Sequence, residues 1–185
     1  MSNKYKYFQP NKLDLKDEFG DCTMRALCKV FNKNWQDMFD YIIPVIKKYQ
    51  VLPCYMFQAK MASQIAEGLG LVRYKISNAK GSKRPTVSEF AKTHPHGTYL
   101  LSLANHVVAV KDGYYYDTWD CGHKSLYGYY RRADLLNTWV IDGRLLPEFE
   151  IEAESFDEAI YEARKINKNY NGGHIKDDKC KNRHK

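Results

Sequence analysis

Apolar residues recur at helical spacing early in the chain and at strand spacing later. Met24, Leu27, Cys28 and Phe31 stand at i, i+3, i+4 and i+7, so residues 22–32 are expected to form a helix with one apolar face. Gly20 and Asp21 supply the turn before it, which puts Cys22 at the helix N-terminus. Asn34 reads as the N-cap of a second helix over residues 35–43, broken or kinked at Pro44 and resuming over 46–49. Residues 55–67 read as a third helix closed by Gly68 and Gly70, and 71–76 as a short strand. Thr86, with Glu89 three positions on, is a capping box opening a short helix to Thr93.

After Pro95 the pattern shortens. Residues 98–103, 107–110, 114–119 and 125–131 are rich in β-branched and aromatic side chains and are separated by turn signals. Helices first and an antiparallel sheet after is an α+β pattern. Farther on, Phe149, Ile151 and Ala153 alternate with Glu148, Glu150, Glu152 and Glu154, as in a half-buried strand. Ser155 and Glu158 form a second capping box, followed by a helix to about residue 166. The expected organisation is a main domain over 1–146 with an irregular N-terminal arm, an accessory β-α unit over 147–168, and a basic, disordered tail over 169–185.

Composition narrows the partners. The chain has 185 residues, 44% hydrophobic and 28% charged, the balance of a globular protein with a real core. Its net charge is +7, of which the last twelve residues, with five Lys/Arg and two Asp, supply +3. The basic balance is therefore partly a tail effect, and nucleic acid is not an expected partner. No apolar run approaches the ~20 residues of a membrane span, and the N-terminus lacks a secretory pattern, so no membrane is expected. Five cysteines, Cys22, Cys28, Cys54, Cys121 and Cys180, make an odd set with no CxxC pair. They argue against a disulfide framework and for a reducing, cytoplasmic setting. His94-Pro-His96 and Cys121-Gly-His123 contain ligand residue types but not the spacing of a structural zinc site, so neither metal nor cofactor is expected.

Cys22 is the candidate nucleophile. Backbone N–H groups and the dipole of the helix it heads favour the thiolate, the attacking species. Of six histidines, His106 is the one that opens an apolar strand, where a rigid sheet holds a general base in one orientation. The orienting carboxylate depends on the turn at Asp112-Gly113. A two-residue turn pairs Val110 with Tyr115 and Val108 with Asp117, which puts Asp117 on the face of His106. A three-residue loop with a bulge would shift the register and make Asp120 the competitor. The two-residue turn needs no bulge, so Asp117 is the expected orienter.

Gly20-Asp-Cys-Thr-Met-Arg25-Ala26, with Asn105-His-Val-Val-Ala-Val-Lys-Asp-Gly-Tyr-Tyr-Tyr-Asp-Thr-Trp-Asp120, resembles the papain-like cysteine peptidases. The Cys-to-His gap of 84 residues and the His-to-Asp gap of 11 are nearer to the bacteriocin-processing branch, and nearer still to small phage- and prophage-encoded papain-like proteins. The resemblance covers roughly residues 5–130. It implies helices led by the nucleophile and packed on an antiparallel sheet, with Cys22 as nucleophile, His106 as base and Asp117 as orienter. It further implies a phage-related origin, hydrolysis of a peptide or isopeptide bond through an acyl-enzyme, and a protein or peptide as substrate. The family's side-chain oxyanion donor is a glutamine six residues before the cysteine, where this chain has Lys16. Gln9 and Asn11 are the candidates to replace it. Loss of such a donor costs on the order of a hundredfold in rate, so a non-catalytic papain-like binding module is the alternative expectation. Another thiol acyltransferase is a more distant one.

Overall fold

Asp112 and Gly113 set the register of the main sheet. Both have positive φ, 50° and 77°, as a type I′ two-residue turn requires. Lys111 therefore faces Tyr114, Val110 faces Tyr115 and Ala109 faces Tyr116. The computed structural model describes residues 4–13, 20–50, 62–77, 82–143 and 145–176. The chain is mixed α and β, with helices leading and antiparallel pairing dominant, and it divides into two units, residues 1–133 and 134–185.

The first unit contains β1 (Tyr5–Tyr7), α1 (Cys22–Phe31), α2 (Trp35–Tyr49), α3 (Ala62–Gly68), β2 (Leu71–Lys75), α4 (Val87–Thr93), β3 (Thr98–Leu103), β4 (His106–Lys111), β5 (Tyr114–Asp117) and β6 (Gly128–Arg132). Its six strands run in the order β1-β5-β4-β3-β6-β2. β1 lies parallel to β5, although the N-terminal arm reads as irregular in the sequence. Two apolar clusters hold helices to this sheet. Met24, Leu27 and Cys28 of α1 pack with Leu100, Val107 and Ala109, and Met38 and Ile42 of α2 join them. Val87, Phe90 and Ala91 of α4 pack with Tyr99, Leu101, Val108 and Val110.

The caps are local and follow the sequence. Asn34 accepts from the Asp37 N–H at 2.9 Å, and Thr86 and Glu89 form the reciprocal capping box. Pro44 does not break α2. The bond it cannot donate would go to the Asp40 carbonyl, and both residues lie on the exposed side, where water serves instead. Of the third expected helix, residues 55–61 lie outside the described residues.

The second unit contains β7 (Asn137–Gly143), β8 (Leu146–Ala153), α5 (Phe156–Ile166) and β9 (Gly172–Ile175), with strand order β8-β7-β9. Ile141, Ala153, Ala159, Ile160, Ala163 and Tyr170 form its core. The expected division after residue 146 would part β7 from its hairpin partner β8, so the unit begins at Asp134 instead. The expected disordered tail likewise contributes a strand, because β9 pairs with β7 from Trp139 to Asp142. Residues 177–185 lie outside the described residues. Among the described residues, no helix is long and apolar enough to cross a membrane.

Candidate active site

Three element ends carry the candidate residues. Cys22 is the first residue of α1, His106 the first of β4 and Asp117 the last of β5. Burial of the α1 face against β3 and β4 fixes the height of Cys22 over the sheet. His106 follows a two-residue turn from β3 in which Asn105 takes a φ of 53°. Extending the Ala109–Tyr116 pairing by one step sets Asp117 opposite Val108, diagonal to His106 on the same face.

His106 Nε2 lies 2.5 Å from Asp117 Oδ2. The other carboxylate oxygen, Oδ1, accepts from the Thr118 N–H at 2.9 Å and from Arg25 Nη2 at 3.3 Å. Asp117 is only 3% exposed. Burial pushes its pKa up, but the His106 hydrogen bond and charge, the Thr118 N–H and Arg25 outweigh it and hold the carboxyl below its ordinary range.

Cys22 and His106 shift in opposite directions. Burial raises the Cys22 thiol, yet the hydrogen bond and charge of His106, the Val107 N–H and the charge of Arg25 bring it below the ordinary thiol value. Burial lowers His106, yet hydrogen bonds to Asp117, Cys121 and Cys22 raise it to about 11. A thiolate beside an imidazolium is the state this arrangement favours. The α1 dipole acts in the same sense. Asp21, at the N-cap position, makes no side-chain capping bond to the first turn of α1.

Asp21 instead pairs with Arg25 one turn along the helix. Arg25 is 4% exposed and so joins the residue before Cys22 to the carboxylate beside His106. Its i+4 spacing from Asp21 was visible in the sequence, but its reach to Asp117 was not. Of the two candidate oxyanion donors, Asn11 is buried and donates from Nδ2 to Asp21 Oδ2 at 3.2 Å, while its Oδ1 accepts from the Leu13 N–H at 3.0 Å. Gln9 accepts from the Asn11 N–H through Oε1 at 3.0 Å. Both therefore belong to the turn that supports Asp21. Lys16 lies outside the described residues.

Asp120, the competing orienter, is engaged elsewhere. Its Oδ1 accepts from the Tyr115 hydroxyl at 2.6 Å and from the Gly122 N–H at 3.0 Å. That anchor fixes the loop after β5 and delivers Cys121, a residue with no evident partner in the sequence. Cys121 is fully buried, with its sulfur within 4.8 Å of a ring nitrogen of His106 and a carboxylate oxygen of Asp117. Trp119 covers the imidazole from the solvent side, with ring centroids 5.3 Å apart.

Cys28 is a core thiol, which donates to the Asn34 carbonyl at 3.7 Å and is pushed up by burial to about 12. His94 stacks on Phe90 at 3.8 Å and serves the helix end. Cys54, Cys180 and His184 lie outside the described residues. Among the described residues, His106, Asp117 and Cys121 are the group whose donor atoms converge closely enough to hold a metal ion. No protein-family model, curated protein or solved structure matches this chain.

Proposed function

We propose that the first unit is a papain-like thiol amide hydrolase, a cysteine peptidase or isopeptidase, working through Cys22, His106 and Asp117. The observation that carries this reading is the hydrogen bond of Asp117 to His106 at 2.5 Å, and the lowered Cys22 thiol and raised His106 agree with it. The Cys22 thiolate attacks the carbonyl carbon of the amide. Negative charge moves to the carbonyl oxygen, toward the Cys22 N–H at the open end of α1. Asp117 occupies Nε2, so Nδ1 gives its proton to the departing amine as the C–N bond breaks. Water then enters, loses a proton to His106 and attacks the acyl carbon, and the thiolate leaves. Asp117 holds the imidazole in place and stabilises its cationic form through both halves.

A second reading has one specific support. Asn11 gives its side-chain N–H to Asp21 rather than to a carbonyl at Cys22, which weakens the case for it as a side-chain oxyanion donor. A papain-like module that binds a protein without cleaving it would keep the same architecture.

The deciding experiment is iodoacetamide labelling of Cys22 across pH, followed by peptide mass spectrometry, in the wild type and in His106→Ala. Catalysis predicts rapid labelling with a depressed thiol pKa that rises in the variant. It also predicts cleavage of some member of a peptide and isopeptide library, abolished by Cys22→Ala. Slow labelling at the free-thiol pKa, unchanged in His106→Ala, favours the binding module.

A further inference from the structure

The proposed chemistry does not use Cys121. Its thiol is nevertheless fully buried against the two residues that chemistry depends on most. One ring nitrogen of His106, one carboxylate oxygen of Asp117 and the Cys121 sulfur all lie within 4.8 Å of one another. Tetrahedral zinc, with bonds of about 2.0 to 2.3 Å to such atoms, separates its ligands by roughly 3.3 to 3.7 Å. Small side-chain rotations close the difference.

We propose that His106, Asp117 and Cys121 form a binding site for a zinc-class divalent cation. One imidazole nitrogen, one thiolate and one carboxylate select a borderline-soft ion over magnesium or calcium, which favour all-oxygen sites. Arg25 and the Thr118 N–H already hold Oδ1 of Asp117, which leaves Oδ2, the oxygen now facing His106, to turn onto the ion. Such outer contacts orient a ligating carboxylate.

The charge balance is favourable. The ion adds two positive charges. The imidazolium and the Cys121 thiol each release a proton to solvent, so two positive charges leave. The net charge of this buried corner does not change, and no uncompensated charge is created. With the ion on one ring nitrogen, the other keeps its proton as a neutral imidazole, so His106 has no free nitrogen to accept a proton and is no longer the imidazolium that protonates the departing amine. The site would then switch off the hydrolase, and that consequence alone rests on the function proposed above.

Cobalt(II) tests the inference on the full chain after treatment with a chelator. The expected result is one equivalent bound, with a thiolate-to-cobalt charge-transfer band in the near ultraviolet that zinc abolishes and magnesium does not. Cys121→Ser should remove the band and weaken cobalt binding by more than the roughly ten- to hundredfold that loss of a supporting contact costs. If Cys121→Ser does not fold, His106→Gln should show the same loss of affinity. A wild type without the band, or a band that survives loss of Cys121, overturns the site. Labelling of Cys22 in the chelator-treated protein reads the proposed hydrolase separately. Fast labelling with no cobalt band removes the metal site and leaves the hydrolase. A cobalt band with slow labelling does the reverse.

Discussion

Arg25 reaches Asp117 at 3.3 Å while pairing with Asp21, so one buried guanidinium ties the turn before Cys22 to the carboxylate beside His106. Removing it leaves Asp21 without its cation and Asp117 with His106 alone in a dry setting. Breaking a buried ion pair costs about 3 to 5 kcal/mol, so Arg25→Met should lose stability in that range, read from urea denaturation. Arg25→Lys should recover little of it, because an ammonium lacks the fork that reaches two carboxylates at once.

Asp117 and Asp120 are separated by substitution. Asp117→Asn removes the charge that supports the imidazolium, so Cys22 labelling near neutral pH should slow and its apparent pKa should rise. Asp120→Asn should leave that pKa in place, because Asp120 bonds to Tyr115 and Gly122 rather than to His106. Cys28, with its thiol at about 12, should stay unlabelled throughout as an internal control. Once a substrate is found, His106→Ala should lower turnover by about 10² to 10⁴-fold, the usual worth of a positioned acid–base.

Stability should depend on pH in a defined direction. Asp117 is held below its ordinary value. Its contribution is complete above the unfolded carboxylate value of about 3.9 and is lost as pH falls through the folded value. His106 is raised to about 11. Its contribution is complete below the unfolded value of about 6.5 and drains away as pH rises toward 11. Urea denaturation across pH should therefore show a plateau between about 4 and 6.5 from this pair. Asp117→Asn should flatten the acid limb, and His106→Ala should flatten the alkaline decline.

Gly122 should not tolerate a side chain. A Cβ there would meet the Tyr115 hydroxyl and the Asp120 carboxylate, the pair whose bond anchors the loop. Overpacking of this kind costs about 1 to 3 kcal/mol. Gly122→Ala should lower the melting temperature accordingly, and Cys121, one residue away, should become accessible to thiol reagents.

The features legible in the sequence were those that depend on neighbouring residues. The apolar face of α1, the Asn34 cap, the Thr86–Glu89 box and the Asp112-Gly113 turn each follow from the conformational preferences of a few adjacent positions. The turn carried furthest, because side chains alternate along a strand. Fixing two residues at the hairpin tip placed His106 and Asp117 on one face, eleven positions apart. The tertiary structure alone decided the rest. β1 is three residues of alternating tyrosine and lysine that become a strand only because β5 offers a parallel edge. β9 lies in a lysine- and glycine-rich segment that extends only against β7. Arg25 meets Asp117 across 92 positions, and Cys121 meets His106 only where the Tyr115–Asp120 anchor turns the loop back. Periodicity, caps and turns determine backbone shape over a few residues. Which side chains converge at one end of the sheet is set by how helices and loops dock, and that energy comes from residues far apart in the chain.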